Sequence, residues 1–267
     1  MNNDPFAEFK QRQREMWASF SPTAIITTPV AGNLVKFAAV RAGETVLDIG
    51  TGTGVVAVTA ARAGATVTGL DLTPELLVNA RENARIAGHP GIVWMEGDAE
   101  RLPYPDASFD VVLSQFGHMF APRPDVVVSE VRRVLKPAGR FVFATWPPEH
   151  FVGRMFAFVA KHSPPPHPGA ASPTQWGSTD IISKRLAAQF ETPFFEYGTM
   201  AAAALSLSHY REFMEHSVGP MQKLVERFAD DPLKLDAIRK EFEGLVAPYY
   251  ADNVVRQSYL LTRTTAR

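Results

Sequence analysis

The sequence predicts an α/β protein built on a mostly parallel sheet with helices on both faces. Three observations support this fold class. Five short apolar runs alternate with helical patterns between residues 44 and 146, a glycine-rich turn follows the first run, and each of the first three runs ends at or near an aspartate. Parallel neighbours need crossover connections, which such helices supply, so the alternation favours parallel pairing.

Each element follows from local signals in chain order. An amphipathic pattern predicts a helix over 4–19, and a second helix over 29–40 begins at Pro29, a residue that suits a first helical turn. Pro74 and Gly88 mark the start and the end of another helix. The alternating region then reads as strands 44–49, 65–71, 91–96, 109–115 and 139–146, with helices 54–63, 74–87 and 124–135.

After residue 146 the pattern becomes irregular and rich in proline. A helix near 152–162, a helix over 178–190 and a strand over 193–203 are predicted, followed by a helical stretch over 207–248 and a last strand over 254–262. We therefore expect N-terminal helices (1–40), a ligand-binding core (41–147), a connecting segment (148–206), a helical insertion (207–253) and a terminal strand (254–267).

The run from Val46 to Gly54 is the most informative feature. Three apolar residues surround Asp48, and glycine then occupies every second position, at Gly50, Gly52 and Gly54. Glycine accepts positive φ angles and lets the backbone approach a ligand closely. The run predicts a buried strand that leads into a tight binding loop.

Three successive strands place a carboxylate at or near their carboxyl ends, where ligands bind in open parallel sheets. Asp71 suits the two hydroxyls of a ribose, Asp98 suits an exocyclic amine such as that of adenine, and Asp48 suits a cationic amino group. Helix capping is the alternative for a single aspartate, but three in register favour an adenosine ligand. Val55 stands where a dinucleotide fingerprint has glycine, and no Lys-Ser/Thr pair follows the loop, which excludes a P-loop.

The run from Val46 to Gly54 and the segments 69–72, 97–103, 109–112 and 130–140 together resemble the motifs of the class I S-adenosylmethionine-dependent methyltransferases. The likeness is greatest to the small-molecule group that includes the ubiquinone/menaquinone biosynthesis enzymes (methyltransferase type 11 domain). It implies a Rossmann-like, seven-stranded sheet with an antiparallel last strand and a helical lid. S-adenosylmethionine would be the cofactor and S-adenosylhomocysteine its product. The implied cofactor-binding residues are Asp48, Gly50, Thr51, Gly52, Asp71, Leu72, Asp98, Ala99, Ser114 and Gln115.

The N-terminal helices and the insertion are expected to cover the sheet edge and enclose an apolar pocket. Core packing alone also explains each aromatic residue there. His118, just past the fourth strand, is the candidate proton acceptor because histidine titrates near neutral pH; the alternative is that it caps a helix or forms a hydrogen bond with the backbone. The expected pocket residues are Phe116, His118, Trp176, Tyr210 and Met214.

Composition narrows the function classes. The net charge is −1, which gives no basic field for nucleic acid, and the chain contains no cysteine, which excludes thiolate metal sites and a cysteine nucleophile. No metal site, membrane insertion or signal peptide is expected, so we predict a cytoplasmic monomer or homodimer that acts on a small molecule. Two alternatives stay open: a protein that keeps the cofactor fold for another reaction, and a more distant one, an NAD-linked oxidoreductase.

Overall fold

The computed structural model describes residues 4–267. Within them, eight strands form one sheet. The strands are β1 (Thr45–Ile49), β2 (Thr66–Asp71), β3 (Val93–Glu96), β4 (Phe109–Gln115), β5 (Leu135–Thr145), β6 (Phe194–Ala203), β7 (Tyr250–Ala251) and β8 (Val254–Thr265).

The order of strands in the sheet is β3-β2-β1-β4-β5-β8-β6, and β7 pairs with β8. Strands β1 to β5 pair in parallel, whereas β8 runs antiparallel to both β5 and β6. The predicted Rossmann-like sheet with an antiparallel last strand is confirmed, and the two-residue β7 adds an eighth strand. Because β1 to β5 are parallel, their carboxyl ends meet at one edge of the sheet.

Ten α-helices accompany the sheet in the described residues. They are α1 (Ala7–Trp17), α2 (Ala24–Phe37), α3 (Val55–Arg62), α4 (Pro74–Ile86), α5 (Pro124–Val134), α6 (Phe151–Lys161), α7 (Thr179–Leu186), α8 (Leu207–Ser217), α9 (Gly219–Arg227) and α10 (Pro232–Val246). None of these helices has both the length and the apolar character to cross a membrane.

Helices α2 to α5 lie against the sheet, and α1, α6, α8, α9 and α10 form a second group. In that group α9 contacts α1 and α6, and α10 contacts α6 and α8. The first residue of α9 is Gly219, where a Cβ atom would lie 2.4 Å from the carbonyl oxygen of Met16. Glycine at this position therefore lets α9 approach the end of α1 closely. We call α1, α6, α8, α9 and α10 the cover helices.

Several boundaries differ from the sequence prediction by a few residues, and the starts of α2 and β5 have a clear structural cause. Helix α2 begins at Ala24, so Pro29 lies inside it rather than at its start. Proline removes one helical hydrogen bond, but Val30, Ala31 and Leu34 are fully buried there and hold the helix against the core. Strand β5 begins at Leu135 instead of residue 139, because Leu135 pairs with Phe109 before the register shifts.

Candidate active site

A cavity runs along the carboxyl edge of the sheet. Its lining comes from the ends of β1, β2 and β4, from the turn after β3, and from the cover helices α1, α6 and α8. The acidic residues lie at the β1–β3 end, and the lining beyond β4 is mainly aromatic, aliphatic and methionine side chains. The topology thus brings together the three carboxylates that the sequence placed at strand ends.

The glycine turn after β1 forms part of the cavity wall. Gly50, Gly52 and Gly54 all have positive φ angles, of 64°, 55° and 82°. A Cβ atom at Gly50 would lie 2.7 Å from Gly117 Cα, whereas one at Gly52 would meet no atom within 4 Å. Gly50 is therefore required by close packing, and Gly52 leaves its backbone open to a ligand. Thr51 also lines the cavity.

Asp71 ends β2 and is held by the backbone. Its Oδ2 accepts the Gly52 N–H at 2.7 Å, and its Oδ1 accepts the Thr73 N–H at 2.8 Å. Burial raises the pKa of this carboxyl, and the same N–H donors oppose the rise. Both oxygens keep a further lone pair for a ligand hydroxyl. The next residue, Leu72, also lines the cavity.

Asp48 is fully buried in β1 beside the glycine turn. Its Oδ2 accepts the Thr51 hydroxyl at 2.5 Å, whereas its Oδ1 has no hydrogen-bond partner among residues 4–267. Burial raises the pKa of Asp48 to about 7, and the Thr51 hydrogen bond opposes that rise. A buried carboxylate oxygen without a donor, at the wall of a cavity, fits a cationic ligand group.

Asp98 and Ala99 follow β3 and line the cavity. Asp98 Oδ1 accepts the Glu100 N–H at 2.9 Å, and its Oδ2 lies 2.6 Å from the ammonium of Lys10 on α1. The same ammonium lies 2.6 Å from a carboxylate oxygen of Asp4 and of Glu100. These three acids are close enough to one another to ligate a metal ion, but Lys10 supplies the cation at their centre. Sequence reasoning did not single out Lys10.

The two predicted polar contacts on β4 separate in the structure. Ser114 lies outside the cavity lining, fully buried, where its hydroxyl donates to the Ile49 carbonyl at 2.7 Å and accepts the His118 N–H at 3.0 Å. This geometry corrects its assignment as a cofactor contact, because both bonds hold the turn. Gln115 does line the cavity; its Nε2 donates to the Thr27 carbonyl, and its buried Oε1 is without a partner in the described chain.

Phe116 stacks on Trp146 at the middle of the cavity. The ring centroids are 3.7 Å apart and the planes differ by 9°. Phe116 has a φ angle of 58°, which is strained for a bulky residue and is typical of functional positions. Both rings line the cavity, as predicted for Phe116, whereas no pattern in the sequence singles out Trp146.

His118 does not have the environment of a proton acceptor. Its ring is fully buried between Phe141, Phe143 and Trp176, and neither ring nitrogen has a hydrogen-bond partner within residues 4–267. Burial, together with the nearby Arg185, lowers the pKa of His118 to about 3. The structure therefore corrects the sequence-based role: the ring adjoins the cavity wall but is a poor base.

Trp176 is also corrected, because it packs behind His118 and Phe143 and is absent from the cavity lining. Tyr210 and Met214, both on α8, line the cavity as expected. The Tyr210 oxygen accepts a hydrogen bond from Gln257 Nε2 at 3.0 Å, and Gln257, on β8, is a cavity residue that sequence reasoning missed. The signal that could have found it is an amide between Val255 and Tyr259, the apolar residues two positions away on the same face of the last strand.

Comparisons with known proteins agree with this geometry. A methyltransferase domain model matches residues 47–143. An uncharacterized protein of Mycobacterium tuberculosis is 33% identical over 252 residues, and the match covers 93% of this chain and 92% of that protein. A ubiquinone/menaquinone biosynthesis C-methyltransferase of Rubrivivax gelatinosus is 44% identical over 108 residues, 40% of this chain and 41% of that protein.

Solved structures show the same fold. Geranyl diphosphate methyltransferase, solved with S-adenosylmethionine, has a TM-score of 0.56 at 17% identity and covers 90% of this chain and 85% of its own. The Bacillus subtilis protein YcgJ has a TM-score of 0.58 at 20% identity, and the match covers 89% of this chain and 97% of YcgJ.

The fold, the glycine turn and the carboxylates at the strand ends define a class of enzymes that bind an adenosine-containing cofactor. Within that class, the chain belongs to the class I S-adenosylmethionine-dependent methyltransferases, in the small-molecule group. Its cofactor is S-adenosylmethionine.

Proposed function

We propose that this enzyme methylates a small, largely apolar or aromatic molecule held in the cavity beyond the cofactor. One observation carries the proposal: the acidic end of the cavity continues, past Phe116 and Trp146, into a region lined by Val152, Met155, Phe156, Met200 and Met214. Such a lining favours an apolar ligand that is largely enclosed.

In this proposal the acidic end holds the cofactor. Asp71 accepts the ribose hydroxyls, Asp98 accepts the adenine amine while the Ala99 N–H donates to the ring, and Asp48 pairs with the amino group. Gly50, Thr51, Gly52 and Leu72 form the surrounding wall, and Gln115 Oε1 is a further acceptor beside it. The unpartnered Asp48 Oδ1 supports this fit, because an ammonium group satisfies a buried oxygen that otherwise lacks a donor.

When bound, S-adenosylmethionine supplies an activated methyl group on a sulfonium centre. The protein therefore contributes mainly by aligning the acceptor and excluding water, which supplies a large share of a transfer rate. Neither His118, with its low pKa, nor Tyr210, whose pKa is raised by burial, suits the removal of a proton. We infer that the acceptor atom reacts in an already nucleophilic form, or releases its proton to water after the transfer, when the site opens again.

The cover helices are proposed to act as the lid that selects the acceptor. Helices α1, α6 and α8 supply cavity-lining side chains, and Ser19, just after α1, donates to Gln222 of α9 at 2.9 Å. Their movement would admit the ligands and release the products, whereas closure would keep water from the transfer. In this proposal the sheet edge binds the cofactor, and the lid binds the acceptor.

A transfer assay tests the proposal. The enzyme is incubated with S-adenosylmethionine labelled in its methyl group and a heat-treated cell extract. Label in precipitated protein and nucleic acid is counted separately, and the small molecules are partitioned between water and an organic solvent. We expect label to move into the organic phase with the parent enzyme and with Asp125→Ala, which changes an exposed acid on α5. Label should stay in the water phase with Asp71→Ala. Transfer to protein or nucleic acid instead would contradict a small-molecule acceptor.

A further inference from the structure

Two hydrogen-bonded polar side chains lie in the apolar part of the cavity. Tyr210 on α8 and Gln257 on β8 both line it, and their side chains are nearly fully buried, with 1% and 5% of the residue surface exposed. Gln257 Nε2 lies 3.0 Å from the Tyr210 oxygen. No part of the cofactor site described above uses this pair.

Either orientation of the Gln257 amide leaves a hydrogen-bond donor of the pair without an acceptor. Since the amide N–H donates to the Tyr210 oxygen, the tyrosine O–H hydrogen has no acceptor among the residues that the structure describes. If the amide is turned by 180°, the tyrosine donates to Gln257 Oε1, and the amide hydrogens are left over instead. In both arrangements at least one donor is available to the cavity.

The rings around Tyr210 offer that donor no oxygen. Phe151 lies 5.9 Å away between ring centroids, and Phe242 lies 6.5 Å away in a stacked orientation. Met214 and Met200, on the neighbouring lining, carry only weak sulfur acceptors. Because a buried donor without a partner is unfavourable, a ligand oxygen is the natural partner.

The place of Gln257 in the sheet shows where the pair lies relative to the cofactor end of the cavity. The cofactor carboxylates lie on or after β1, β2 and β3, Phe116 directly follows β4, and Gln257 lies on β8, two strands beyond β4. Adjacent strands are about 4.8 Å apart, so β8 runs about 10 Å to the side of β4. Gln257 lies four residues along β8 from Leu261, the residue that is level with the end of β4 through Ala144. The pair is therefore at the end of the cavity away from the cofactor carboxylates.

We propose that Tyr210 and Gln257 bind a carbonyl oxygen of the methyl acceptor and so fix which of its atoms faces the cofactor. The acceptor is then an otherwise apolar or aromatic molecule whose carbonyl lies at the end away from the methylated atom. This inference rests on the proposed function, because it assigns a role to the acceptor end of the same cavity. Tyr210 and Gln257 are specificity-determining residues in this account, and neither takes the proton.

Two small probes of similar shape test it, acetophenone with a carbonyl oxygen and ethylbenzene without one. Each is titrated into the enzyme saturated with S-adenosylhomocysteine, and its dissociation constant is measured by ligand-observed NMR. The readout is the ratio of the two constants, which cancels general effects on the cavity. We expect Tyr210→Phe to reduce the preference for acetophenone at least about threefold, the scale of one net hydrogen bond. Gln257→Met should reduce it in the same direction.

Tyr249→Phe is the matched control, because Tyr249 contacts Phe151 but lies outside the cavity lining. It should keep the parent ratio. An unchanged ratio in Tyr210→Phe, or the absence of binding by both probes, would overturn the inference. Calorimetry with S-adenosylhomocysteine distinguishes the two proposals: normal cofactor-product binding with no loss of probe preference rejects the carbonyl site and leaves methyl transfer intact.

Discussion

The ammonium of Lys10 on α1 lies 2.6 Å from the Asp98 carboxylate, 88 residues further along the chain. This contact ties a cover helix to the turn that is proposed to bind adenine. Glu100, which the same ammonium contacts, is almost fully buried and also pairs with Arg123 at 2.6 Å. The first helix is therefore attached to the cofactor end of the cavity by charge as well as by packing.

Replacing Lys10 should loosen this attachment. In Lys10→Met the helix keeps an apolar side chain of similar length, but Asp98 and Glu100 lose their shared cation. A hydrogen bond between charged groups is worth about 1.5–3 kcal/mol, so we expect S-adenosylhomocysteine to dissociate at least about tenfold faster in stopped-flow measurements. Lys36→Met, in the last turn of α2, should leave the rate unchanged. Equal rates in all three proteins would show that α1 does not gate the site.

We predict that the ionised form of Asp48 lowers the stability of the ligand-free protein and strengthens cofactor binding. Its folded-state pKa of about 7 lies above the usual value near 3.9, so between about pH 4 and pH 7 the folded protein holds a proton that the unfolded chain has released. The free energy of unfolding therefore falls as pH rises through that window. Asp48→Asn removes this loss, and its ligand-free melting temperature at pH 7.5 should exceed that of the parent by several degrees.

The same substitution should weaken cofactor binding, since an amide cannot pair with an ammonium group as a carboxylate does. We expect the affinity for S-adenosylhomocysteine to fall at least about tenfold at pH 7.5. In the parent, affinity should rise between pH 5.5 and pH 7.5, because the ionised carboxylate is the form that binds. A pH-independent affinity, measured by calorimetry, would contradict the assignment of Asp48 to the amino group.

Asp71 is predicted to carry the ribose. Asp71→Ala should weaken cofactor binding by ~2 kcal/mol or more, the scale of a lost pair of charge-assisted hydrogen bonds. NADP should show no measurable binding to the parent, because its 2′-phosphate would face this carboxylate. Unchanged calorimetric affinity in the variant, with an intact melting transition, would place the ribose elsewhere.

His118 is predicted to be dispensable for the chemistry. His118→Leu replaces a buried ring whose nitrogens have no partners with an apolar side chain of similar volume, so the melting temperature should be equal or higher. Methyl transfer should stay within about threefold of the parent, whereas loss of a general base costs roughly a hundredfold or more. A loss of that size without unfolding would restore the catalytic role.

A substitution of Met214 tests whether the proposed lid acts on the acceptor and not on the cofactor. Met214→Ala should change acceptor turnover, because the side chain lines the apolar end of the cavity. Affinity for the cofactor should stay within about threefold, under ~1 kcal/mol. Abolished cofactor binding in a folded variant would show that the helices at 207–253 do not act on the acceptor alone.

The sequence indicated the parts of the site that depend on short-range patterns. The glycine turn and the aspartates at successive strand ends lie next to one another in the structure, because parallel strands bring their carboxyl ends to one edge. The contacts that the sequence did not indicate join distant segments: Lys10 with Asp98, Tyr210 with Gln257, and Phe116 with Trp146. Their spacing along the chain carries no periodic signal.

Two of the three corrected residues, His118 and Trp176, illustrate the same limit. His118 follows a strand that reaches the cavity, but the aromatic rings of Phe143 and Trp176 surround it and remove the water that would make it basic. Trp176 lies in a proline-rich segment whose course the sequence pattern does not define, and that segment packs behind the sheet edge. Burial, which depends on the whole fold, decided both outcomes.

A crystal structure of the enzyme with S-adenosylhomocysteine would show where each part of the cofactor binds. We expect both ribose hydroxyls on Asp71, the amino group within hydrogen-bond distance of Asp48 Oδ1, and the sulfur directed towards the Phe116–Trp146 stack. The space from there to Tyr210 should stay free for the acceptor. A ligand that occupies the apolar end beside Tyr210, or one that contacts neither Asp48 nor Asp71, would contradict it.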